Sequence, residues 1–412
     1  MAKRKQILVF IYNSFNDPLF QGLLFRYIKT IAEKSDKFHF HILTFEQHAY
    51  QLSKLEQSST KNELLKKSIS WYPQNFHTGR FLLIKKAIDL IQAFITIISI
   101  QFKFRPKVIL AFANIAGSFS YLLSKIFRWK VIVFSYEPHS QFLEELGFWK
   151  KSSLKFKLLN SIEKSLGING DFIITGTKHM IRLLNEWKTR AKTIRLPTSV
   201  DHNMFVFSKT ERNRIREEFG IKNRKVVIYT GKFGDLYYKE EIFQLCQALY
   251  EHDSKYFFMF LTGHDQKELA QLFNQVQIPT STYFVGRVPF EEVTNYLSAA
   301  DIGLVTVANF PSKKYCSPTK VGEYLCCGLP YIVTVGTSED DSYAESFDVG
   351  VVVDSFDKHD VRSKIPEIER LLTEDKIALR IRCRKTGIEY RGLDNAVSTI
   401  SLVLDESQSS SK

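Results

Sequence analysis

Cysteine is scarce in this sequence, and patterns that hold metal ions are missing. The chain has five cysteines in 412 residues, an odd number, and none stands at the spacing of a metal site. No Asp-x-Asp triplet occurs, because the acids Asp340 and Asp341 are adjacent and not separated by one residue. These absences predict a reducing, cytoplasmic location and no metal requirement.

Long uncharged runs are missing as well. The most apolar segment, 81–104, is interrupted by Lys85, Lys86 and Asp89. We therefore expect no segment with the roughly 18 uncharged residues that a membrane-spanning helix requires. Only a short apolar run follows the basic residues 1–6, so no signal peptide is predicted.

Negative charge is scarce in the first half of the chain. Residues 1–202 hold 31 lysines and arginines against 14 acids, a net charge of +17, whereas the remainder holds 26 against 30. Such a surface suits nucleic acid, an anionic membrane or an acidic substrate. Nucleic acid is the weakest of the three, since no helix-turn-helix, zinc finger or aromatic RNA-binding motif is present.

One basic segment favours the membrane. Residues 148–166 combine five lysines with Phe148, Trp149 and Phe156, as in a helix that lies on an anionic bilayer. The alternative is an amphipathic helix that packs one face on the domain and leaves its lysines in water.

Strands alternate with helices along the whole chain. The run Gln6–Tyr12 predicts a first buried strand, and Lys107–Ala113 and Lys225–Thr230 predict later ones. This alternation predicts doubly wound parallel sheets, which bind ligands beyond the carboxyl ends of their strands. The length fits two such domains of about 200 residues.

The stretch 309–335 is the most informative part of the sequence. Ser317 is a preferred helix N-cap, Pro318 suits the first helical position, and Gly328 suits the left-handed residue after the last turn. They predict a helix of about ten residues that Pro330 ends, followed by a buried strand. The start of such a helix favours a phosphate group.

These residues resemble the donor-site helix of glycosyltransferase family 4, whose members have the GT-B fold. The resemblance is carried by Ser317, Pro318, Thr319, Lys320, Glu323, Tyr324, Gly328, Leu329 and Pro330. It implies that Glu323 binds the ribose of the nucleotide sugar and that residues 317–320 lie at its phosphates. Tyr315 replaces a second glutamate, which in the family often touches the sugar. The alternative is an ordinary capped helix packed on a sheet.

The family resemblance also implies the domain organisation. Residues 197–205 resemble the segment between the two domains, and the net charge changes sign nearby. We expect an acceptor-binding, membrane-facing domain over 1–200 and a nucleotide-sugar domain over 201–390. A final helix over 391–412 is expected to return to the first domain and to end in a disordered tail from Glu406.

A glycine-rich turn supplies candidate phosphate ligands. Gly231 and Lys232 follow the predicted strand 225–230, and Lys239 begins the next helix. Backbone N–H groups and two ammonium groups at a strand end suit a diphosphate. In family 4 an arginine usually stands at Lys232, and lysine keeps the charge without the bidentate geometry. The alternative is a solvated turn.

Candidate acceptor residues lie in two loops of the first half. Asn16 and Gln21 are expected in the loop after the first strand, and Gly22 is expected to open the next helix. A helix-entry turn at that point is about equally favoured. Glu137 and His139 follow a predicted strand end, and the resemblance places a histidine or an acid near there. A structural role for His139 is the alternative.

Together these features predict a retaining glycosyltransferase that uses a nucleotide diphosphate sugar without metal. A UDP-sugar is the favoured donor, Glu323, Lys232, Lys239 and His139 are the catalytic candidates, and the acceptor is a glycan or lipid-linked glycan of the cell surface. We expect a peripheral location on the inner face of the cell membrane. A sugar-nucleotide epimerase of similar fold and a non-catalytic scaffold that binds a partner through its basic face are the alternatives.

Overall fold

The structure is a computed structural model that describes residues 4–308 and 310–409. It divides into two compact units: unit 1 comprises the chain up to Leu196 and from Asp394 onward, and unit 2 comprises Pro197–Leu393. Asn309, the first residue of the motif stretch, lies outside the described residues.

Each unit is built on one parallel sheet. In unit 1 the strand order is β3-β2-β1-β4-β5-β6-β7, and in unit 2 it is β10-β9-β8-β11-β12-β13. The strands of unit 1 are β1 Lys5–Ile11, β2 Phe38–Glu46, β3 Ile69–Asn75, β4 Val108–Phe112, β5 Lys130–Phe134, β6 Phe172–Thr175 and β7 Lys192–Arg195. Those of unit 2 are β8 Lys225–Thr230, β9 Tyr256–Leu261, β10 Tyr283–Gly286, β11 Ile302–Val305, β12 Tyr331–Thr334 and β13 Gly350–Val353.

Helices connect the strands and cover the sheets. In chain order they are α1 Pro18–Phe20, α2 Arg26–Lys34, α3 Lys54–Lys66, α4 Leu82–Phe104, α5 Ala113–Phe127, α6 His139–Glu145, α7 Leu154–Asn169, α8 Lys178–Glu186, α9 Lys209–Glu218, α10 Glu240–His252, α11 Gln266–Gln275, α12 Val293–Ala299, α13 Thr319–Cys326, α14 Asp340–Ser346, α15 Lys358–Thr373, α16 Lys376–Arg391 and α17 Leu393–Ser409. The central strands are apolar on both faces and fully buried, as helices on both sides of a parallel sheet require.

The strand orders create the ligand-binding edge of each sheet. In unit 1 the order reverses between β1 and β4, and in unit 2 it reverses between β8 and β11. At such a reversal the connections leave on opposite faces, so a crevice opens beyond the carboxyl ends of the two strands. A ligand site in unit 2 is therefore expected at the residues that follow β8 and β11.

The end of the chain belongs to unit 1. The Asp405 carboxylate on α17 accepts hydrogen bonds from the Lys5 and Lys37 ammonium groups at 2.8 and 3.1 Å, and Lys192 Nζ lies 2.6 Å from Glu406. The prediction of disorder from Glu406 onward is wrong up to Ser409, because these ion pairs and buried apolar residues hold the helix.

Two further expectations need correction. Gly22 does not open a helix: α1 begins at Pro18, whose preceding residue Asp17 caps it by accepting from Leu19 N–H, and a π-helical turn over Gln21–Phe25 leads into α2. The expected absence of a segment fit to span a membrane is also wrong, since Ile84–Phe104 within α4 is long and apolar enough by length and composition.

Candidate functional site

Helix α13 is tied to the carboxyl ends of β8 and β11. The Tyr324 hydroxyl accepts a hydrogen bond from Thr230 N–H at 3.2 Å and donates to the Leu304 carbonyl, also at 3.2 Å. Gly303 makes room for this ring, because a Cβ there would lie 2.5 Å from it. Helix α13 therefore lies at the sheet edge where a ligand is expected.

Lys320 is a buried cation that no acceptor among the described residues hydrogen-bonds. Its ammonium lies 4.5 Å from the ring centroid of Tyr229 and 4.4 Å from that of Tyr237, and within the described residues Nζ has no hydrogen-bond acceptor. Burial lowers the pKa of Lys320 to about 7. Two aromatic faces stabilise the charge only partly, so the site favours an anion that completes it.

The glycine-rich turn faces this ammonium. A Cβ at Gly231 would lie 3.3 Å from Lys320 Nζ, and its φ of +135° is a conformation that side chains rarely adopt. Glycine thus leaves open space next to the cation. Lys232, the predicted phosphate ligand after it, has an exposed side chain, and its carbonyl accepts a hydrogen bond from the Tyr229 hydroxyl.

Glu323 lies about one turn after Lys320 on the same helix and is partly exposed. Its carboxylate forms no hydrogen bond or ion pair with the described residues. Burial raises the pKa of Glu323 to about 7, and the nearby Lys320 charge opposes that rise. An open carboxylate beside a buried cation matches the predicted ribose and phosphate pair.

The second predicted cation already has a partner. The Lys239 ammonium forms an ion pair with Glu268, whose other carboxylate oxygen lies 2.8 Å from His264 Nε2. His264 follows β9, and its ring is 5.8 Å from that of Phe233 in the glycine-rich turn. Sequence reasoning missed His264 and Glu268, although their place after the end of β9 was a usable signal.

Ser317 does not cap α13. The helix begins at Thr319 with Pro318 in the N-cap position and no side-chain cap. Ser317 Oγ accepts instead from Thr198 N–H at 3.0 Å and from the Arg391 guanidinium at 2.7 Å. The local capping preference is overridden by a buried contact between residues distant in the sequence.

Arg391 anchors the start of α13. Its guanidinium also donates to the Pro318 carbonyl at 3.2 Å and to Thr198 Oγ1 at 2.8 Å, and it is ion-paired with the buried Asp340. Arg391 and Asp340 are both fully buried. The backbone that leads into the candidate phosphate site is therefore fixed by one charged network.

The comparisons with known proteins bear on this site. Residues 211–389 match the family model described as glycosyl transferases group 1. The matched segment covers 179 of the 412 residues. The match includes Lys232, Lys239 and the whole of α13, so the candidate site lies inside the matched segment. None of the curated proteins compared with the chain matches its sequence.

Solved structures share the fold over the whole chain. Sucrose-phosphate synthase from Thermosynechococcus elongatus matches with a TM-score of 0.74 at 15% identity, covering 99% of this chain and 100% of that one. HepE from Anabaena in complex with UDP matches with a TM-score of 0.68 at 12% identity, covering 97% of this chain and 100% of that one. WaaG, a glycosyltransferase involved in lipopolysaccharide biosynthesis, matches with a TM-score of 0.63 at 13% identity, covering 96% of this chain and 99% of that one. The predicted fold class, two Rossmann-like doubly wound domains of GT-B type, is confirmed.

Two other predicted residues of the matched segment lie near the start of α13. Tyr315, in the place of the family glutamate, is buried at the end of a 3-10 turn, with Lys314 Nζ 5.2 Å from its ring. Thr319 is partly exposed in the first turn of α13. Their roles toward a sugar stay predictions.

The acceptor-side candidates lie at the carboxyl edge of the unit 1 sheet. Gln21 Nε2 donates to the Phe15 carbonyl at 2.7 Å, which fixes the turn that contains the partly exposed Asn16. Gly22 has open space where a Cβ would stand. His139 begins α6, and burial lowers its pKa. A neutral imidazole is thus favoured at this edge.

Two buried residues that sequence reasoning missed hold the segment with Glu137 and His139. Asn114 Oδ1 accepts from Glu137 N–H at 3.1 Å, and the Glu163 carboxylate accepts from Ser140 N–H at 3.1 Å and from its hydroxyl at 2.6 Å. Burial raises the pKa of Glu163 to about 7. These contacts determine where the two acceptor candidates stand.

No metal centre is evident in the part of the chain that the structure describes. Within residues 4–308 and 310–409, no group of three or more His, Cys, Asp or Glu side chains is arranged to hold a metal ion. The five cysteines, all among the described residues, form no disulfide, and burial raises the pKa of four of their thiols. Metal independence stays a prediction.

Proposed function

We propose that the protein is a retaining, metal-independent glycosyltransferase that moves a sugar from a nucleotide diphosphate sugar to a glycan or lipid-linked acceptor. The observation that carries the proposal is the buried ammonium of Lys320 next to Gly231, which has no hydrogen-bond acceptor among the described residues, with the partly exposed carboxylate of Glu323 one turn away. A diphosphate would accept hydrogen bonds from the Lys320 ammonium, and a ribose diol would donate hydrogen bonds to the Glu323 carboxylate.

The chemistry follows from where charge develops. As the bond between the sugar and the diphosphate breaks, negative charge accumulates on the leaving phosphate oxygens. Lys320, Lys232 and the N–H groups at the start of α13 stabilise that charge, and partial burial strengthens their effect. Lys239 joins them once the phosphates compete with Glu268. In a retaining reaction on one face of the sugar, the leaving oxygen takes the proton of the acceptor hydroxyl.

The acceptor belongs to unit 1 in this proposal. Glu137 and His139 position the acceptor hydroxyl, together with Asn16, Gln21 and Gly22. The positive charge of residues 1–202 favours a cytoplasmic, peripheral location on the inner face of the cell membrane and a lipid-linked acceptor of polysaccharide or glycolipid assembly. The shared fold with WaaG, a glycosyltransferase involved in lipopolysaccharide biosynthesis, supports this pathway class.

Thermal unfolding with UDP, GDP, ADP and CMP sugars, without added metal, tests the proposal. A ligand at 100 times its dissociation constant stabilises the folded state by about 2.7 kcal/mol. We expect the largest shift with a UDP-sugar, because HepE was solved with UDP and with UDP-glucose. No shift with any nucleotide would favour a scaffold, and sugar conversion without an acceptor would favour an epimerase.

Sugar-donor affinity is expected to peak near pH 7. Glu323, with its pKa raised to about 7, accepts hydrogen bonds with both oxygens from the ribose diol as a carboxylate but loses one of these acceptors when protonated, so affinity rises toward that pH. Lys320, with its pKa lowered to about 7, loses its charge above it, so affinity then falls by up to about tenfold per pH unit. Calorimetric titration from pH 6 to 9 measures both limbs.

Two variants assign the limbs of this profile. Lys320→Arg keeps its charge at every pH and should abolish the decline above pH 7, whereas Glu323→Gln cannot ionise and should abolish the rise below it. A parent profile that is flat between pH 6 and 9 would contradict the assignment of these two residues.

A further inference from the structure

Helix α4 of unit 1 is apolar on two opposite faces. One face packs on the domain: Ala93, Ile97 and Ile100 are buried. Polar contacts anchor the same helix, since Thr96 Oγ1 donates to Gln74 Oε1 at 3.1 Å and Gln101 Oε1 accepts from Trp129 at 3.1 Å. The helix is thus an integral part of unit 1.

The other face of α4 is exposed. It carries Ile84, Ile88, Ile91, Ile95 and Phe102, which we call the α4 ridge, with exposed fractions of 62, 41, 58, 62 and 80%. The ridge extends over about 27 Å, at 1.5 Å per residue. An uncovered apolar surface of this length on a folded domain indicates an interaction site.

No charge interrupts the middle of the ridge, but cations border both of its ends. Between Lys86 and Lys103 the one ionisable side chain is Asp89, which is buried, hydrogen-bonded to His77 and Tyr12 and ion-paired with Lys86 at 3.3 Å. Lys85 lies next to Lys86 at the start of the helix, and Arg105 follows Lys103 at its end.

The neighbouring helix α5 widens the apolar surface. The ring centroids of Phe94 on α4 and Phe127 on α5 are 6.3 Å apart, and the adjacent Ile126 is 65% exposed. Lys125 and Arg128 flank this part of α5 and are exposed. The apolar side chains therefore come from two helices, with cations close by.

We propose that the α4 ridge inserts into the interface of a bilayer that contains anionic lipids, with α4 parallel to the membrane plane. Apolar side chains enter the acyl boundary, while the bordering lysines and arginines contact lipid phosphates. The proposal deepens the membrane attachment included in the proposed function, but it does not depend on which nucleotide sugar binds.

Two other occupants of the ridge fit less well. A second copy of the chain would bring two strongly basic surfaces together, since residues 1–202 carry a net charge of +17. A spanning helix would have to leave unit 1 and expose Asp89, together with the apolar face that now packs on the sheet. An anionic bilayer matches both the apolar ridge and the charge around it.

Flotation of the full chain with lipid vesicles tests the proposal. The probes are vesicles of equal parts phosphatidylglycerol and phosphatidylcholine, and vesicles of phosphatidylcholine alone. The variant Ile91→Glu/Ile95→Glu introduces two charges on the ridge. The matched control Ile377→Glu/Ile381→Glu alters two isoleucines at the same spacing on α16 of unit 2, with exposed fractions of 71 and 64%.

We expect the parent and the control to float with the anionic vesicles and the ridge variant to partition at least tenfold less. Equal partition of the ridge variant, or no parent binding to anionic vesicles, would overturn the proposal. Dimerisation of the parent that the ridge variant abolishes, seen by sedimentation, would assign the ridge to a second copy instead. The UDP-glucose thermal shift, measured on each variant, tests the nucleotide site separately.

Discussion

Lys320→Met is expected to raise the stability of the protein while it removes most of its activity. Methionine retains the apolar stem between the rings of Tyr229 and Tyr237 but lacks the ammonium. In the folded state burial lowers the pKa of Lys320 to about 7, well below its value in an unfolded chain, so the buried charge destabilises the fold at neutral pH. The melting temperature without ligand should therefore rise.

The functional loss should be large. Removing one preorganised group that stabilises a developing anion typically lowers kcat by about 100- to 1,000-fold, and we expect Lys320→Met to fall in that range with the sugar donor found in the thermal panel. The comparison variant is Lys232→Met, whose side chain is exposed on the glycine-rich turn. Its effect on kcat should be smaller and its melting temperature unchanged.

A merely structural role for Lys320 predicts the opposite pattern. If the ammonium served only the fold, Lys320→Met would lower the melting temperature and leave kcat unchanged in the surviving folded fraction. A rise in stability together with a loss of turnover is the signature of a charge held for a ligand.

Arg391→Met is expected to cause the largest loss of stability. It leaves Asp340 buried without its ion-pair partner and removes the hydrogen bonds to Ser317, Thr198 and the Pro318 carbonyl. Breaking one side of a buried pair typically costs about 3–5 kcal/mol. For a unit of about 200 residues this corresponds to a decrease of roughly 6–20 °C in the melting temperature.

A double variant separates the uncompensated charge from the lost hydrogen bonds. Arg391→Met/Asp340→Leu removes both charges, so we expect it to recover part of the stability lost in the single variant while sugar-donor affinity stays low. Calorimetry measures the first quantity and titration the second. A double variant less stable than Arg391→Met would contradict the view that the unpaired carboxylate dominates the loss.

The elements of the site follow from local sequence patterns. Strand β8 and the turn after it are indicated by an apolar run that ends at Gly231, and the end of α13 is indicated by Gly328 and Pro330. Gly328 indeed has a φ of +71°. Such signals depend on residues only a few positions apart, so they can be read from the sequence before the fold is known.

Features that depend on residues distant in the sequence could not be predicted from local patterns. Ser317 has the composition of a helix cap, but Arg391, 74 residues later, takes its hydroxyl. The burial of the Lys320 ammonium depends on two tyrosines in different segments, and the ion pair of Lys239 depends on Glu268 after the next strand. The apolar length of α4 was likewise underestimated from the sequence. Asp89 interrupts the apolar run there, and its burial depends on residues distant in the sequence.

Hydrogen–deuterium exchange with and without UDP-glucose is the most direct test of the central claim that unit 2 binds a nucleotide sugar at the carboxyl edge of its sheet. We predict slower exchange in two segments, 231–239 and 317–326, and no slowing there in Lys320→Met. Protection confined to other segments of unit 2, or no protection at millimolar UDP-glucose or at any other nucleotide sugar of the panel, would contradict the assignment.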